Sequence, residues 1–290
     1  MPKPFRKRHP VLFWLGLPLL VLAVLGAGGA LFGGEDSLPA SDRLAMLRVE
    51  GVILQNRPIL KWIDRLYRDD SVKGVLLRVD SPGGGAAASQ ELHEAIARLQ
   101  TKKPVVAYMG SVAASGGLMV ALAAPMVVAN PSAVTGSIGV KMDIPQVQGL
   151  MAKLGVGQET LTTGRFKDAG SPFKVMSAQD RTYLQGVLQD MHRQFVELVA
   201  KSRNMPLANV EAMADGRIFT GREALALGLV NAVGGQDVAL EALSKATGLA
   251  SSQVLLEQPK ESALWKEILE TVLDIDLSSA ARSPAFMYMY

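Results

Sequence analysis

The run Gly74-Val75-Leu76-Leu77-Arg78-Val79-Asp80, stopped by Ser81-Pro82-Gly83-Gly84-Gly85, constrains the fold most tightly. A short, nearly continuous apolar run closed by turn residues is the pattern of a strand buried on both faces. It recurs at Pro104–Gly110 and, shorter, at Met126–Ala129. Helical patterns fall between these runs, around Ile59–Tyr67, at Ser89–Leu99 and from Leu118 to Ala124. Strands alternating with helices predict an α/β protein with a parallel sheet and crossover connections. Further along, helices are expected at Ser177–Arg203, Gly221–Gly228, Gln236–Thr247 and Ser262–Leu273, and a strand at Leu229–Val233. A strand is also expected from Arg43 to Ile53. Ser177 stands three residues before Asp180, a capping box with Asp in place of Glu or Gln.

The 290 residues are 49% hydrophobic and 20% charged, enough for a sizeable core. The formal charge of +3 comes from the N-terminus. Four of the 30 basic residues lie in the first nine, which leaves 26 against 27 acidic ones, so the body is near neutral. That balance argues against a nucleic-acid surface. Pro10–Gly34 holds no charged side chain. About 23 helical residues span about 35 Å, enough to cross a bilayer. The basic flank precedes the run and Glu35-Asp36 follows it, which places the N-terminus in the cytoplasm and the body outside. A cleaved signal peptide, with Gly28-Gly29-Ala30 at the cleavage site, is the competing reading; the run is long for one, which favours an uncleaved anchor. The expected organisation is a basic tail at 1–10, an anchor at 11–33, a linker at 34–42, a body at 43–250 and an extension at 251–290.

With no Cys, thiolate nucleophiles and Cys-based metal sites are excluded. The glycine turn at 83–85 can present bare N–H groups at a strand's C-terminal edge, where ligand sites of open α/β sheets gather. It is neither a P-loop nor a dinucleotide fingerprint. Ser115 lies where the second apolar strand gives way to a helix, in Ala114-Ser115-Gly116-Gly117. Alone, such a serine reads as a helix cap. Two strand–glycine–helix junctions together offer what acyl transfer needs, an oxyanion site with N–H donors from separate segments, here Gly83 and Gly116; spacing alone does not separate Gly83 from Gly84 as the inward-facing donor. His9 falls on the far side of the anchor, and His93 and His192 fall in charge-rich helical segments that read as solvated faces. No metal-ligand spacing is present. Lys167, in Arg165-Phe166-Lys167-Asp168, remains as a base if Phe166, Phe173 and substrate bury it; from spacing alone it reads as a loop lysine.

Five segments in order carry a family resemblance. They are Leu77-x-Val79-Asp80-Ser81-Pro82-Gly83-Gly84-Gly85, Ala113-Ala114-Ser115-Gly116-Gly117, Thr135-Gly136-Ser137-Ile138-Gly139-Val140, Gly164-x-x-Lys167-Asp168-x-x-Ser171-Pro172-Phe173 and Gly216-Arg217-x-Phe219-Thr220-Gly221-Arg222-x-Ala224. Over residues 43–250 the chain resembles the signal peptide peptidase A (protease IV) family, peptidase family S49, in its short form. The resemblance implies a Clp-protease/crotonase-like fold with repeated β-β-α units and a serine endopeptidase without a cofactor. Ser115 would be the nucleophile, Lys167 the base and Ser137 the group orienting the lysine. The implied substrates are hydrophobic peptides such as remnant signal peptides, cut on the periplasmic side of the bacterial inner membrane by a homo-oligomer. Gly84, Val112, Leu118 and Met119 are expected to line the substrate site.

Two other readings stay open. Phe219–Asn231 also resembles crotonase-like acyl-CoA enzymes, and a peptide-binding scaffold without catalysis is the non-enzymatic option. The apolar Phe286-Met287-Tyr288-Met289-Tyr290 is expected to pack into a groove, such as a neighbouring subunit's substrate cleft.

Overall fold

The computed structural model describes residues 41–252 and 255–258 and the backbone of 287–289. The elements, in chain order, are β1 (Arg43–Glu50), α1 (Arg57–Arg68), β2 (Val72–Ser81), β3 (Gly83–Gly85), α2 (Ala86–Gln100), β4 (Val105–Ala114), α3 (Gly116–Ala121), β5 (Met126–Ala129) and β6 (Val134–Gly136). They continue with α4 (Gln148–Lys153), α5 (Ala178–Arg203), α6 (Leu207–Glu211), β7 (Ile218–Thr220), α7 (Gly221–Ala226), β8 (Ala232–Val233), α8 (Gln236–Thr247) and β9 (Met287–Met289). The predicted anchor at 11–33 and the helix expected at 262–273 lie outside the described residues. Within those residues no helix is long and apolar enough to cross a membrane.

The main sheet runs β1-β2-β4-β5-β8, all parallel. Side chains of alternating parity leave its two faces. From β1, Ala45, Leu47 and Val49 join the larger core with Leu66 of α1 and Leu92 and Ile96 of α2. Leu44 and Met46 point the other way, into a second core with Ala239 and Leu243 of α8. Helices therefore cover both faces, which is why the strands carry no polar side. Trp62 donates its ring N–H to the Met46 carbonyl at 3.0 Å and fixes α1 on β1.

The sheet is mixed rather than wholly parallel, because β6 pairs β4 in parallel while β7 pairs β6 antiparallel. Strand β4 also runs four residues past its expected end at Gly110. It pairs β5 through Val106–Met109 and β6 through Val112–Ala114. Between these halves it bulges away from β2, since Val79 faces Met109 but Ser81 faces Ala113. Asp80 fills the bulge: its carboxylate accepts the Ser111 N–H at 2.5 Å and Arg78 Nε at 3.0 Å, and a Cβ at Gly110 would strike it. The aspartate that ends the apolar run on the page is thus the prop that lets β4 continue.

Helix α5 begins as expected, with Ser177 Oγ accepting the Asp180 N–H at 3.0 Å. Thr220 and Glu223 close a full capping box on α7. One segment departs from expectation: the strand at Leu229–Val233 shrinks to Ala232–Val233. The tail strand β9 lies on the glycine strand β3 of the same chain, antiparallel, with Gly84 opposite Tyr288.

Candidate active site

Ser115 follows β4 and, its side chain making no cap bond, holds the N-cap position of α3 with φ 53° and ψ −118°. That is a costly conformation for a residue with a Cβ, about 1–3 kcal/mol, and it persists only where the surroundings enforce it. The enforcement is visible. The Ser115 N–H donates to the Gly136 carbonyl at 2.8 Å, and its carbonyl accepts the Met119 N–H at 3.0 Å. The next residues are glycines because the helix start is pressed onto the glycine strand. A Cβ at Gly116 would strike Ser89 Oγ and sit 3.2 Å from the Gly83 Cα, and one at Gly117 would strike the Ser81 carbonyl. The two glycine motifs, thirty residues apart in sequence, are one packed unit.

Buried hydroxyls hold this unit together. Ser81 Oγ donates to the Gly51 carbonyl at 2.6 Å and accepts the Gly83 N–H at 3.1 Å. Ser89 Oγ donates to the Gly85 carbonyl at 2.9 Å, and Thr135 Oγ1 to the Ala113 carbonyl at 2.7 Å. Ser115 Oγ is the exception: it is 0% exposed and has no hydrogen-bond partner. A buried hydroxyl left unpaired costs stability, and such groups persist where they serve chemistry.

Gly83, expected to offer its N–H to an oxyanion, gives it to Ser81 Oγ instead. The Gly83 carbonyl and Gly85 N–H both bond Ile53, at 2.9 and 2.8 Å. Strand alternation therefore turns the N–H and carbonyl of Gly84 to the opposite, open edge of β3. No side chain fits at 84, because a Cβ would strike the Ile53 backbone. Gly84→Ala is expected to cost about 1–3 kcal/mol through that overlap, read as a lower urea midpoint at constant slope.

Ser137 stands beside Ser115, since Ala114 faces Gly136 across the β4–β6 ladder. It too has positive φ, 51°, and its N–H donates to the Arg217 carbonyl at 2.7 Å. Arg217 is braced in turn by Asp215, whose carboxyl its guanidinium holds down to about 2. Ser137 lines an 850 Å³ cleft with Ile138, Val140, Leu188, His192 and Ile218.

Lys167 makes no hydrogen bond to Ser115 Oγ. It is exposed, in a loop fastened to α5. Phe166 stacks on Tyr183 at 4.6 Å, and Lys174 Nζ bridges Asp168 at 3.2 Å and Asp180 at 3.4 Å. Phe166 and Phe173 are 37% and 41% exposed, so the apolar cover expected around the lysine is not supplied within one chain. Leu118 and Met119, expected as pocket lining, are 0% and 1% exposed and belong to the core, as α3 is buried all round. Val112 is half-buried.

The histidines are not solvated faces either. His192 Nε2 meets the Ala214 carbonyl at 2.8 Å. His93 donates Nδ1–H to the Met119 carbonyl at 2.8 Å, and burial lowers its pKa from the ordinary value. A buried neutral histidine binds protons less readily folded than unfolded, so stability should fall as pH drops below about 6.5, the unfolded value. The urea midpoint of His93→Gln is expected to lose part of that acid slope.

A strained serine at a strand-to-helix turn, packed against a glycine strand on an α/β sheet, defines a serine-type hydrolase site. Comparison with known proteins agrees: the model of "Peptidase family S49" matches residues 97–250. The "Putative protease MJ0651" of Methanocaldococcus jannaschii is 37% identical over 82% of this chain and 79% of its own length. A relative from Enterococcus faecium, named signal peptide peptidase SppA with the same qualifier, is 36% identical over 68% of this chain and 57% of its own length. "Protease 4" of Haemophilus influenzae is 30% identical over 82% of this chain and 38% of its own length. The chain belongs to peptidase family S49, the family of signal peptide peptidase A and protease 4, and is a serine-type protease.

Proposed function

We propose that the chain is a membrane-anchored Ser–Lys endopeptidase that degrades remnant signal peptides and other hydrophobic peptides. The orphaned, buried Ser115 Oγ supports this best, because the hydroxyls of Ser81, Ser89 and Thr135 around it are all bonded. In this reading Ser115 Oγ attacks the peptide carbonyl carbon and its proton passes to Lys167 Nζ. The N–H groups of Gly84 and Gly116 stabilise the tetrahedral oxyanion. The lysine returns the proton to the leaving amine, and water then hydrolyses the acyl-enzyme. Ser137, next to Ser115, orients the lysine.

Lys167 is exposed and no group bonds Ser115 Oγ, so the dyad is not assembled within one chain. We infer that it forms in a homo-oligomer, where a neighbour's 160–175 loop delivers the lysine. Leu150, Leu154, Leu161 and Val175 are 59%, 67%, 90% and 73% exposed around that loop, and a neighbour would cover them. The anchor at 11–33 would hold the body on the extracytoplasmic side of the bacterial inner membrane, where cleaved signal peptides remain. The test is cleavage of a synthetic signal peptide by the full chain in detergent. Cleavage within the apolar stretch is expected; hydrolysis of an acyl-CoA thioester with the peptide untouched would sink the reading.

A further inference from the structure

Helix α3, which Ser115 opens, has only six residues, Gly116–Ala121. So short a helix keeps its place through what packs on it rather than through its own bonds. Those bonds run out early. The Met119 N–H returns to the Ser115 carbonyl at 3.0 Å and the Leu122 N–H to the Leu118 carbonyl at 2.9 Å. The Ala123 N–H then goes to the Val120 carbonyl at 3.2 Å, so the backbone passes over the carbonyl of Met119. A buried carbonyl at the end of a helix needs a donor from elsewhere. His93 of α2 supplies it, with Nδ1 at 2.8 Å from the Met119 oxygen. A carbonyl only accepts, so Nδ1 carries the proton.

Ser89 stands four residues before His93, on the same face of α2. A Cβ at Gly116 would meet Ser89 Oγ. One face of α2 therefore holds α3 at both ends: Ser89 against Gly116, where the helix begins, and His93 on Met119, near where it stops. Packing does not call for a histidine at 93. The ring lines a cleft of about 680 Å³ with Ala97, Leu122 and Leu198, where an apolar side chain would sit more favourably than an imidazole.

We propose that His93 is a positioning residue for peptide cleavage: its bond to the Met119 carbonyl fixes α3, and with it Ser115 Oγ and the Gly116 N–H, in the attacking geometry. The proposal rests on Ser115 as the nucleophile. A nucleophile misplaced by about 1 Å loses about a hundredfold in rate. Groups that only bind the substrate are left as they were, so the loss should fall on kcat and not on KM.

The test uses the full chain in detergent, with a fluorogenic hydrophobic peptide and a fluorophosphonate as separate probes. His93→Leu removes the donor. It is expected to lower kcat and the rate of Ser115 phosphonylation alike, by about ten- to a hundredfold, with KM within about twofold. His93→Asn, whose amide N–H stands where Nδ1 does, should bring both rates back to within about threefold of the parent. Packing alone would order the two variants the other way, since leucine suits the apolar cleft and asparagine does not. Urea midpoints establish that each variant is folded in the assay. Should His93→Leu not fold, His93→Gln, whose amide is carried one bond further out, takes its place with the same expectation. Unchanged kcat in that variant, a change in KM alone, or an asparagine variant no faster than it overturns the proposal. A parent that is labelled at Ser115 but cleaves no peptide fails the peptidase reading alone, and the labelling rates then decide; a parent that is not labelled overturns both.

Discussion

Ser115→Ala should abolish peptide cleavage while leaving the protein as stable as before, or more so. The two halves of this result have one cause. Ser115 Oγ is fully buried and bonds nothing, so the folded state bears the cost of stripping water from a hydroxyl without compensation. Alanine removes that cost and leaves the positive φ of 53° as it was, since serine and alanine share the Cβ that makes it strained. A stability gain of up to about 1 kcal/mol is expected as a raised urea midpoint. Without the nucleophile, kcat should fall by about 10³-fold or more, because the remaining site only binds and polarises the carbonyl. A fluorophosphonate probe should label the parent chain and not the variant. The neighbouring hydroxyls give the contrast: Ser89→Ala removes a partner of the Gly85 carbonyl and should destabilise by about 1 kcal/mol. If Ser115→Ala retained more than about a tenth of the parent rate, the serine would not be the nucleophile.

The second large effect concerns Lys167. Lys167→Ala should be as inactive as Ser115→Ala, and co-expression of the two inactive variants should restore cleavage. In a head-to-tail assembly, a chain with Ser115 intact meets a neighbour with Lys167 intact at about a quarter of the sites when the two variants mix at random. Within one chain no mixture could recover any activity. The exposure of Lys167, the orphaned Ser115 Oγ and the apolar surface around the lysine loop all point to the first outcome. The measurement is peptidase rate against the ratio of the two variants, with size-exclusion chromatography to show that they co-assemble. Inactivity at every ratio of co-assembled variants would place both groups in one chain; full activity of Lys167→Ala would remove the lysine from the chemistry.

Much of the architecture is legible in the linear pattern, because it rests on local burial. Runs apolar at both parities gave β2, β4 and β5, and the helical periods gave α1, α2, α5 and α8, with α8 at its observed bounds Gln236–Thr247. These signals come from side chains meeting a face of fixed period, and each segment carries its own. What the pattern misses is short or depends on a distant prop. Strand β6 has three residues and no period to detect, and β4 outruns its apolar pattern because Asp80 fills the bulge beside it. The histidines read as solvated for the same reason: charged neighbours in sequence do not reveal that α3 delivers the Met119 carbonyl to His93.

For the site, the chain's residues by themselves determined where the chemistry sits: Ser115 at a strand-to-helix junction, the glycine strand and the family they mark. Tertiary structure decided which groups are usable. Glycine spacing could not separate Gly83 from Gly84, since the choice depends on which strand edge each N–H faces, and that follows from Ile53 and Ser81 packing from outside the motif. Nor does spacing reveal that Leu118 and Met119 are core, that Lys167 is exposed and makes no bond to Ser115 Oγ, or that the edge beside Gly84 is met by residues two hundred positions on. A motif records the residue types a reaction needs. The direction in which each hydrogen bond points is fixed only when separate segments close on one another.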